Sequence, residues 1–288
     1  MTAARRIHVG LIGASIQQSK SPFMHETEAW ALGLDLEYEL LDLKAMGVGL
    51  EALPDVLRQA ESEGYAGVNV THPCKQAVIP LLDDLSEDAA MIGAVNTVVF
   101  KDRRRHGYNT DEWGFRESFR RQMVGAPLDR VLQIGAGGAG AATAHAILEL
   151  GAGRLSIFDI DADRAQALAT KMAAKFGEGR AEAVADLDSM MRSTQGVVQA
   201  SPIGMADHPG MPLPASSLRP DLWVAEVIYF PLETELLARA RALGCRVVDG
   251  GGMAVFQAAK AFELFTGVAP DAERMLQRFR AELVGCDL

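Results

Sequence analysis

A fold of class α/β in two domains is predicted by three features of this sequence. Short β-branched runs alternate with longer helical patterns, a glycine-rich turn joins an apolar strand to an Ala-rich helix, and the chain is 288 residues long. The alternation implies βαβ units and a mainly parallel sheet. The length exceeds the roughly 100 to 200 residues usual for one domain. An N-terminal open α/β domain is expected over 1–113 and a second α/β domain over 114–248. Helices in 249–288 are expected to return to complete the first domain.

Taken in order, 7–13, 36–43, 67–71 and 95–100 have the β-branched character of strands, with helical patterns between them. A helical segment over 113–122 leads to Gly125, Ala126 and Pro127, whose composition suits a domain junction. Strand patterns resume at 130–134, 155–158, 196–199, 222–228 and 246–248. The last helical stretches, 253–266 and 272–283, carry apolar residues at helical spacing but have no strand of their own to cover. No internal repeat and no low-complexity segment interrupts the chain.

Composition narrows the partners. Hydrophobic residues make up 49% and charged residues 23%, as in globular proteins with a substantial core. A formal charge of −10 opposes binding to nucleic acid, which relies on clustered Lys and Arg. The one basic run, Arg103 to Arg105, follows an apolar strand and reads as a solvated hairpin turn. Cys74, Cys245 and Cys286 lack disulfide or metal-like spacing, so no metal site is expected and a reducing, cytoplasmic setting fits. The start of the chain has no long apolar run, and no stretch of about 18 apolar residues follows, so a membrane role is not expected.

The strongest chemical signal is Val131-Leu-Gln-Ile-Gly135-Ala136-Gly137-Gly138-Ala139-Gly140, a G-x-G-x-x-G pattern between strand and helix. In a Rossmann domain the first glycine permits the tight turn, the second lets backbone approach a pyrophosphate, and the third lets helix pack on strand. Helix N-terminal N–H groups then hold the phosphates. Dinucleotide binding is therefore expected at Gly135, Ala136, Gly137, Gly138, Ala139 and Gly140. The next strand ends at Asp159, 19 residues beyond Gly140, where a carboxylate accepts from ribose hydroxyls and repels a 2′-phosphate. NAD is expected over NADP. Arg164 lies near enough to favour the phosphate, although Asp161 is available to pair with it.

Ser19-Lys20-Ser21-Pro22 precedes a helical pattern, which makes Ser21 an expected N-cap and Pro22 the first helical residue. Such a segment is either a cap alone or a carboxylate receptor, because hydroxyls and the helix dipole favour the same negative charge. Three further segments place polar residues at strand ends, where open α/β sheets bind ligands: Gly67-Val-Asn69-Val-Thr71-His-Pro-Cys-Lys75, Gly93-Ala-Val-Asn96-Thr97 and Gly107-Tyr-Asn109-Thr110-Asp111. Alone, each of these residues is an ordinary turn-former, cap or solvated side chain. His25 and His72 lack metal-ligand spacing and read as structural, and Cys74 as a packing residue.

Taken in order with Ala200-Ser-Pro-Ile-Gly204-Met205, Val227-Ile-Tyr229-Phe-Pro231 and Asp249-Gly-Gly-Gly252-Met253-Ala-Val-Phe-Gln257, these segments closely resemble the shikimate dehydrogenase family over nearly the whole chain. The resemblance extends to its NAD-preferring quinate/shikimate branch. It implies that Ser19 and Ser21 bind a substrate carboxylate, that Asn69, Thr71, Asn96 and Gln257 bind ring hydroxyls, and that Lys75 and Asp111 are the catalytic pair. It also implies that Tyr229 meets the substrate and that Ala200, Met205, Gly252 and Met253 lie near the nicotinamide. The expected reaction is hydride transfer between NAD(H) and the C3 oxygen-bearing carbon of shikimate, in a monomer or homodimer. Lys75 would hydrogen-bond the reacting oxygen while Asp111 holds the ammonium and shares in proton transfer, a division of roles that the sequence alone leaves open.

The chain also departs from the family pattern. Many NADP-using relatives carry an Asn-Arg-Thr-like segment where this chain has Asp159-Ile160-Asp161. Quinate-using members often have Thr at the position of Ser21, which favours shikimate over quinate. Gln199 replaces a common Asn, and Glu226 a frequent Asp. Two alternatives stand beside the main expectation: a dehydrogenase of an amino-substituted analogue, and a metabolite sensor without turnover.

Overall fold

In a computed structural model, which describes residues 6–285, strands and helices alternate along the chain as the patterning predicts. Cys286 and residues 1–5 lie outside the described residues. The chain separates into two units, residues up to Thr110 with those from Val255 onward, and Asp111–Ala254. The segment Gly125 to Pro127 falls inside the second unit.

The first unit runs β1 (Ile7–Gly13), α1 (Ser21–Ala31), β2 (Leu36–Asp42), α2 (Leu53–Ser62), β3 (Gly67–Val70), α3 (Cys74–Ala77), β4 (Asp84–Leu85), α4 (Glu87–Ile92), β5 (Thr97–Lys101) and β6 (Arg104–Tyr108). Its sheet has the order β2-β1-β3-β5-β6-β4, with β5 antiparallel to both its neighbours. The hairpin turn is Asp102-Arg103, both at positive φ, so the basic run is only partly a turn: Arg104 and Arg105 belong to β6. They are paired rather than available, Arg104 with Asp84 at 2.9 Å and Arg105 with Glu61 at 2.7 Å.

The second unit contains most of α5 (Thr110–Gln122), then β7 (Arg130–Ile134), α6 (Gly138–Glu149), β8 (Arg154–Phe158), α7 (Ala162–Phe176), β9 (Ala181–Ala183), α8 (Leu187–Met191), β10 (Gly196–Gln199), β11 (Trp223–Glu226), α9 (Glu235–Ala242) and β12 (Arg246–Val248). The six strands are all parallel in the order β12-β11-β10-β7-β8-β9. This is the doubly wound arrangement, in which the order reverses between β7 and β10 and ligands meet the carboxyl ends of those strands. Strands β10 and β11 are buried along their whole length, as parallel strands covered on both faces must be.

Two helices end the chain, α10 (Gly250–Thr266) and α11 (Ala272–Gly285). Ala261, Phe262 and Phe265 of α10 pack with Val9, Leu11 and Tyr38 in one apolar cluster of the first unit. The α11 helix is tied to α1 by Glu28, which is fully buried and accepts from Asp271 N at 2.7 Å and Arg274 Nε at 2.9 Å. A buried charge is tolerable only when paired in this way. Among the described residues no helix is long and apolar enough to cross a membrane, and no group of three or more His, Cys, Asp or Glu could hold a metal ion.

Candidate active site

In the first unit the loop after β1 is shaped by Asp42, whose carboxylate accepts from the N–H groups of Ser15 (2.9 Å) and Ile16 (3.0 Å) and from Gln17 Nε2 (3.0 Å). That clamp delivers Ser19 to the start of α1. Ser21 is the first helical residue rather than the N-cap, which is Lys20, and no side chain caps this helix. The Ser21 hydroxyl is instead engaged away from the helix start. Ser19 Oγ accepts from Ser21 N and lies 3.2 Å from Ser21 Oγ, and Ser21 hydrogen-bonds the Tyr38 phenol.

From Tyr38 the polar chain continues inward. Its hydroxyl donates to Asn69 Oδ1 at 2.8 Å, and Asn69 Nδ2 donates to Thr97 Oγ1 at 2.9 Å and to the Asn96 carbonyl at 3.2 Å. Asn96 Oδ1 accepts from Thr97 Oγ1 (3.0 Å) and Thr110 N (2.7 Å), while its Nδ2 donates to Thr110 Oγ1 (2.9 Å) and Gln257 Oε1 (3.1 Å). One network therefore joins Ser19, Ser21, Asn69, Asn96 and Gln257, which come from four separate segments. Buried polar side chains with all partners in place hold a single geometry. Tyr38, Thr97 and Thr110 serve as its connecting members. Tyr38 carried no signal in the sequence beyond an inward position on an alternating strand.

Thr71 directly follows β3 and its carbonyl accepts from Cys74 N at 2.7 Å, starting the short α3 that carries Lys75. The Lys75 carbonyl accepts from Val95 N at 2.9 Å, so the backbone beneath this side chain is anchored next to Asn96. Cys74 is buried, and burial pushes its thiol up to about 11, which suits packing rather than reactivity. His25 is buried among Tyr38, Phe262 and Phe265, and loss of solvation pushes it down to about 3, so it is a neutral packing ring.

In the second unit the glycine turn fits a dinucleotide pyrophosphate. Gly135 has φ of +105°, and a Cβ there would lie 2.7 Å from the Ala200 backbone. A Cβ on Gly140 would lie 2.3 Å from the Gly135 carbonyl oxygen. Both positions therefore require glycine, and Ala200 closes one wall of the turn. At Gly137 a Cβ would meet nothing within 4 Å, so that side of the loop is open. Helix α6 begins there without a side-chain cap, whereas α4, α7, α8 and α9 are capped by Ser86, Asp161, Asp186 and Thr234. The first N–H groups of α6, from Gly138, Ala139 and Gly140, thus have no intrahelical acceptor and suit an anion.

Asp159 caps the far side of the turn. Its Oδ2 accepts from Ala136 N at 2.7 Å and its Oδ1 from Asp161 N at 2.9 Å. A carboxylate offers about four acceptor positions, so two bonds leave capacity for ribose hydroxyls. Arg164 pairs with Asp161 at 3.1 Å on an exposed face.

Asp111 is buried in the first turn of α5, and its charge, after burial, helps to raise the Tyr229 phenol above its ordinary pKa. Both residues belong to the second unit. Met205 is partly exposed and pairs with His208 in a tight loop after β10, which Gln199 braces by donating to the Ile203 carbonyl at 2.6 Å. Gly252 packs against Ser118 of α5, and Met253 lies buried in the same core cluster as Phe119.

Glu226, at the end of β11, is buried and accepts from the Thr234 hydroxyl, while its Oε1 has no hydrogen-bond partner. Burial pushes its carboxyl up to about 7, with the Thr234 bond opposing the rise. In the unfolded chain it titrates near 4.5, so the stability this group contributes is complete below that value and is lost as pH rises through about 7. Glu226→Gln is expected to unfold at a higher temperature than the wild type at about pH 8, with the gap closing towards about pH 5. Thermal unfolding across that range checks it, and parallel curves for the two proteins would show a carboxyl that is ionised throughout.

Fold and site together define a two-unit α/β oxidoreductase with a dinucleotide-binding Rossmann unit. Comparison with known proteins gives the family. The model for the shikimate dehydrogenase substrate binding domain matches residues 11–98, and that for the shikimate 5′-dehydrogenase C-terminal domain matches 250–278. A shikimate dehydrogenase (NADP(+)) of Streptomyces avermitilis is 55% identical over 96% of both chains. A quinate/shikimate dehydrogenase (NAD(+)) of Corynebacterium efficiens is 45% identical over 95% of this chain and 97% of that one. The structure of a quinate dehydrogenase from Corynebacterium glutamicum in complex with NAD superposes with a TM-score of 0.90 at 43% identity, covering 96% of this chain and 100% of that chain. The chain belongs to the shikimate dehydrogenase family, and with it to the oxidoreductases that use a nicotinamide dinucleotide.

Proposed function

We propose that this chain interconverts shikimate and 3-dehydroshikimate with NAD(H), with NADP and quinate as lesser partners, in the cytoplasm. The observation that carries the reading is the network joining Ser19 and Ser21 to Asn69, Asn96 and Gln257. It gathers hydroxyls beside a helix start, suited to a carboxylate, and amides suited to ring hydroxyls, within one unit. The similarity to proteins named for shikimate and for quinate supports the same substrate class.

In this proposal a bound nicotinamide would accept or return the hydride at the alcohol carbon. Lys75 donates to the reacting oxygen, stabilising the charge that develops there, and passes the proton. Asp111 is the second member of the proposed catalytic pair and shares in handling that proton. Thr71 completes the hydroxyl contacts, and Tyr229 and Met205 border the reacting ring.

Asp159 supports NAD over NADP, since its carboxylate sits on the glycine turn itself and a 2′-phosphate brought there meets like charge. The relatives divide on this point, one named for NADP(+) and another for NAD(+). Steady-state rates with shikimate and quinate, each against NAD and NADP, test the whole reading. The highest kcat/KM is expected for shikimate with NAD, and Asp159→Ala is expected to narrow the NAD-to-NADP ratio by about tenfold. A wild type that prefers NADP, or a ratio unmoved by the substitution, would count against it.

A further inference from the structure

We propose that Gln133 is a positioning residue for cofactor binding: from inside β7 its amide presets the loop from Gly135 to Gly140 for a pyrophosphate. The proposal rests on the dinucleotide reading of that loop. Gln133 is fully buried, yet its neighbours across the sheet, Ile157 on β8 and Val198 on β10, are apolar. An uncompensated amide in such surroundings is costly, and an aliphatic side chain would serve the sheet equally well. The amide is compensated entirely by the loop and its helix.

Nε2 donates to the Gly135 carbonyl at 2.9 Å and to the Gly140 carbonyl at 2.8 Å, so one nitrogen ties both ends of the turn. Oε1 accepts from Thr143 Oγ1, one turn into α6, at 2.9 Å, which keeps the amide from turning over. A Cβ on Gly140 would lie 3.2 Å from that same Nε2, so the amide occupies the space that the glycine leaves. Phe158 and Asp159 hold the opposite side, accepting from Gly135 N at 2.8 Å and Ala136 N at 2.7 Å. With the carbonyls drawn inward to Gln133, the unpaired N–H groups at the start of α6 are left for the ligand before it arrives. Preorganisation of this kind tightens binding by lowering the ordering cost.

The effect should fall on ligands that bear a pyrophosphate. Gln133→Met keeps the length of the side chain and removes both donors; Thr143→Val leaves the donors and removes their orienting partner. Dissociation constants are measured by titration for NADH, ADP-ribose and adenosine, with thermal unfolding alongside. Gln133→Met is expected to weaken NADH and ADP-ribose about tenfold, the scale of one to two lost hydrogen bonds, with adenosine unchanged. Thr143→Val should weaken the same two ligands about threefold, and decides the matter alone if the first variant does not fold. Unchanged affinities, or an equal loss for adenosine, would overturn the role of Gln133. A wild type that binds neither NADH nor ADP-ribose would overturn the dinucleotide reading itself.

Discussion

Lys75→Ala is expected to lower kcat for shikimate oxidation by about 10² or more, the scale of general acid–base catalysis, with NADH affinity within about twofold of wild type. The backbone at this residue is held by the Val95 N–H and the side chain is only half-buried, so truncation should leave the fold intact. Lys75→Arg separates two roles that alanine removes together. A guanidinium keeps the positive charge near the reacting oxygen but does not release a proton in the working pH range. If proton transfer matters, the arginine variant should stay within about tenfold of the alanine variant; if charge alone matters, it should recover most of the lost rate. Stopped-flow single turnovers keep the chemical step apart from product release. Near-normal turnover in Lys75→Ala would remove this residue from the mechanism.

Which parts of the molecule the sequence discloses follows from the range of the interactions. The parallel strands β7, β8, β10 and β12 declare themselves through short apolar runs, and the glycine turn through spacing that only a strand-to-helix corner needs. The short β9 is different: Ala181-Glu182-Ala183 has no β-branched residue and is a strand because it pairs with β8. The same holds for β6, whose Arg104 and Arg105 look like turn residues until Asp84 and Glu61 are found beside them.

Site residues divide in the same way. Asn69, Asn96 and Lys75 stand in recognisable segments, whereas Tyr38 and Gln133 look like ordinary strand positions. What distinguishes Tyr38 is Asn69, 31 residues away, and Ser21 on the preceding helix. What distinguishes Gln133 is a pair of carbonyls whose positions depend on the finished turn. Ser21 shows the converse error: local rules favour a cap, and the tertiary partner Tyr38 draws its hydroxyl away.

Asn96 is where these long-range bonds converge, and Asn96→Ala is expected to have the next largest effect. Its side chain bonds Thr97, Thr110 and Gln257 while almost wholly buried. Alanine leaves the Thr110 N–H and Gln257 Oε1 without those partners, at a cost of about 3 kcal/mol for a few orphaned buried groups. Activity should fall further than stability does, by about 10² in kcat/KM, because Asn96 is also proposed to touch a ring hydroxyl and Thr110 immediately precedes Asp111. Asn96→Asp distinguishes support from contact. A carboxylate still accepts from Thr110 N and Thr97 Oγ1 but has no N–H for Gln257 or for an acceptor on the substrate. Denaturant unfolding and steady-state kinetics on both variants give the separation. Alanine and aspartate variants that lose stability but keep kcat/KM would make Asn96 a strut of the first unit with no part in holding the ring.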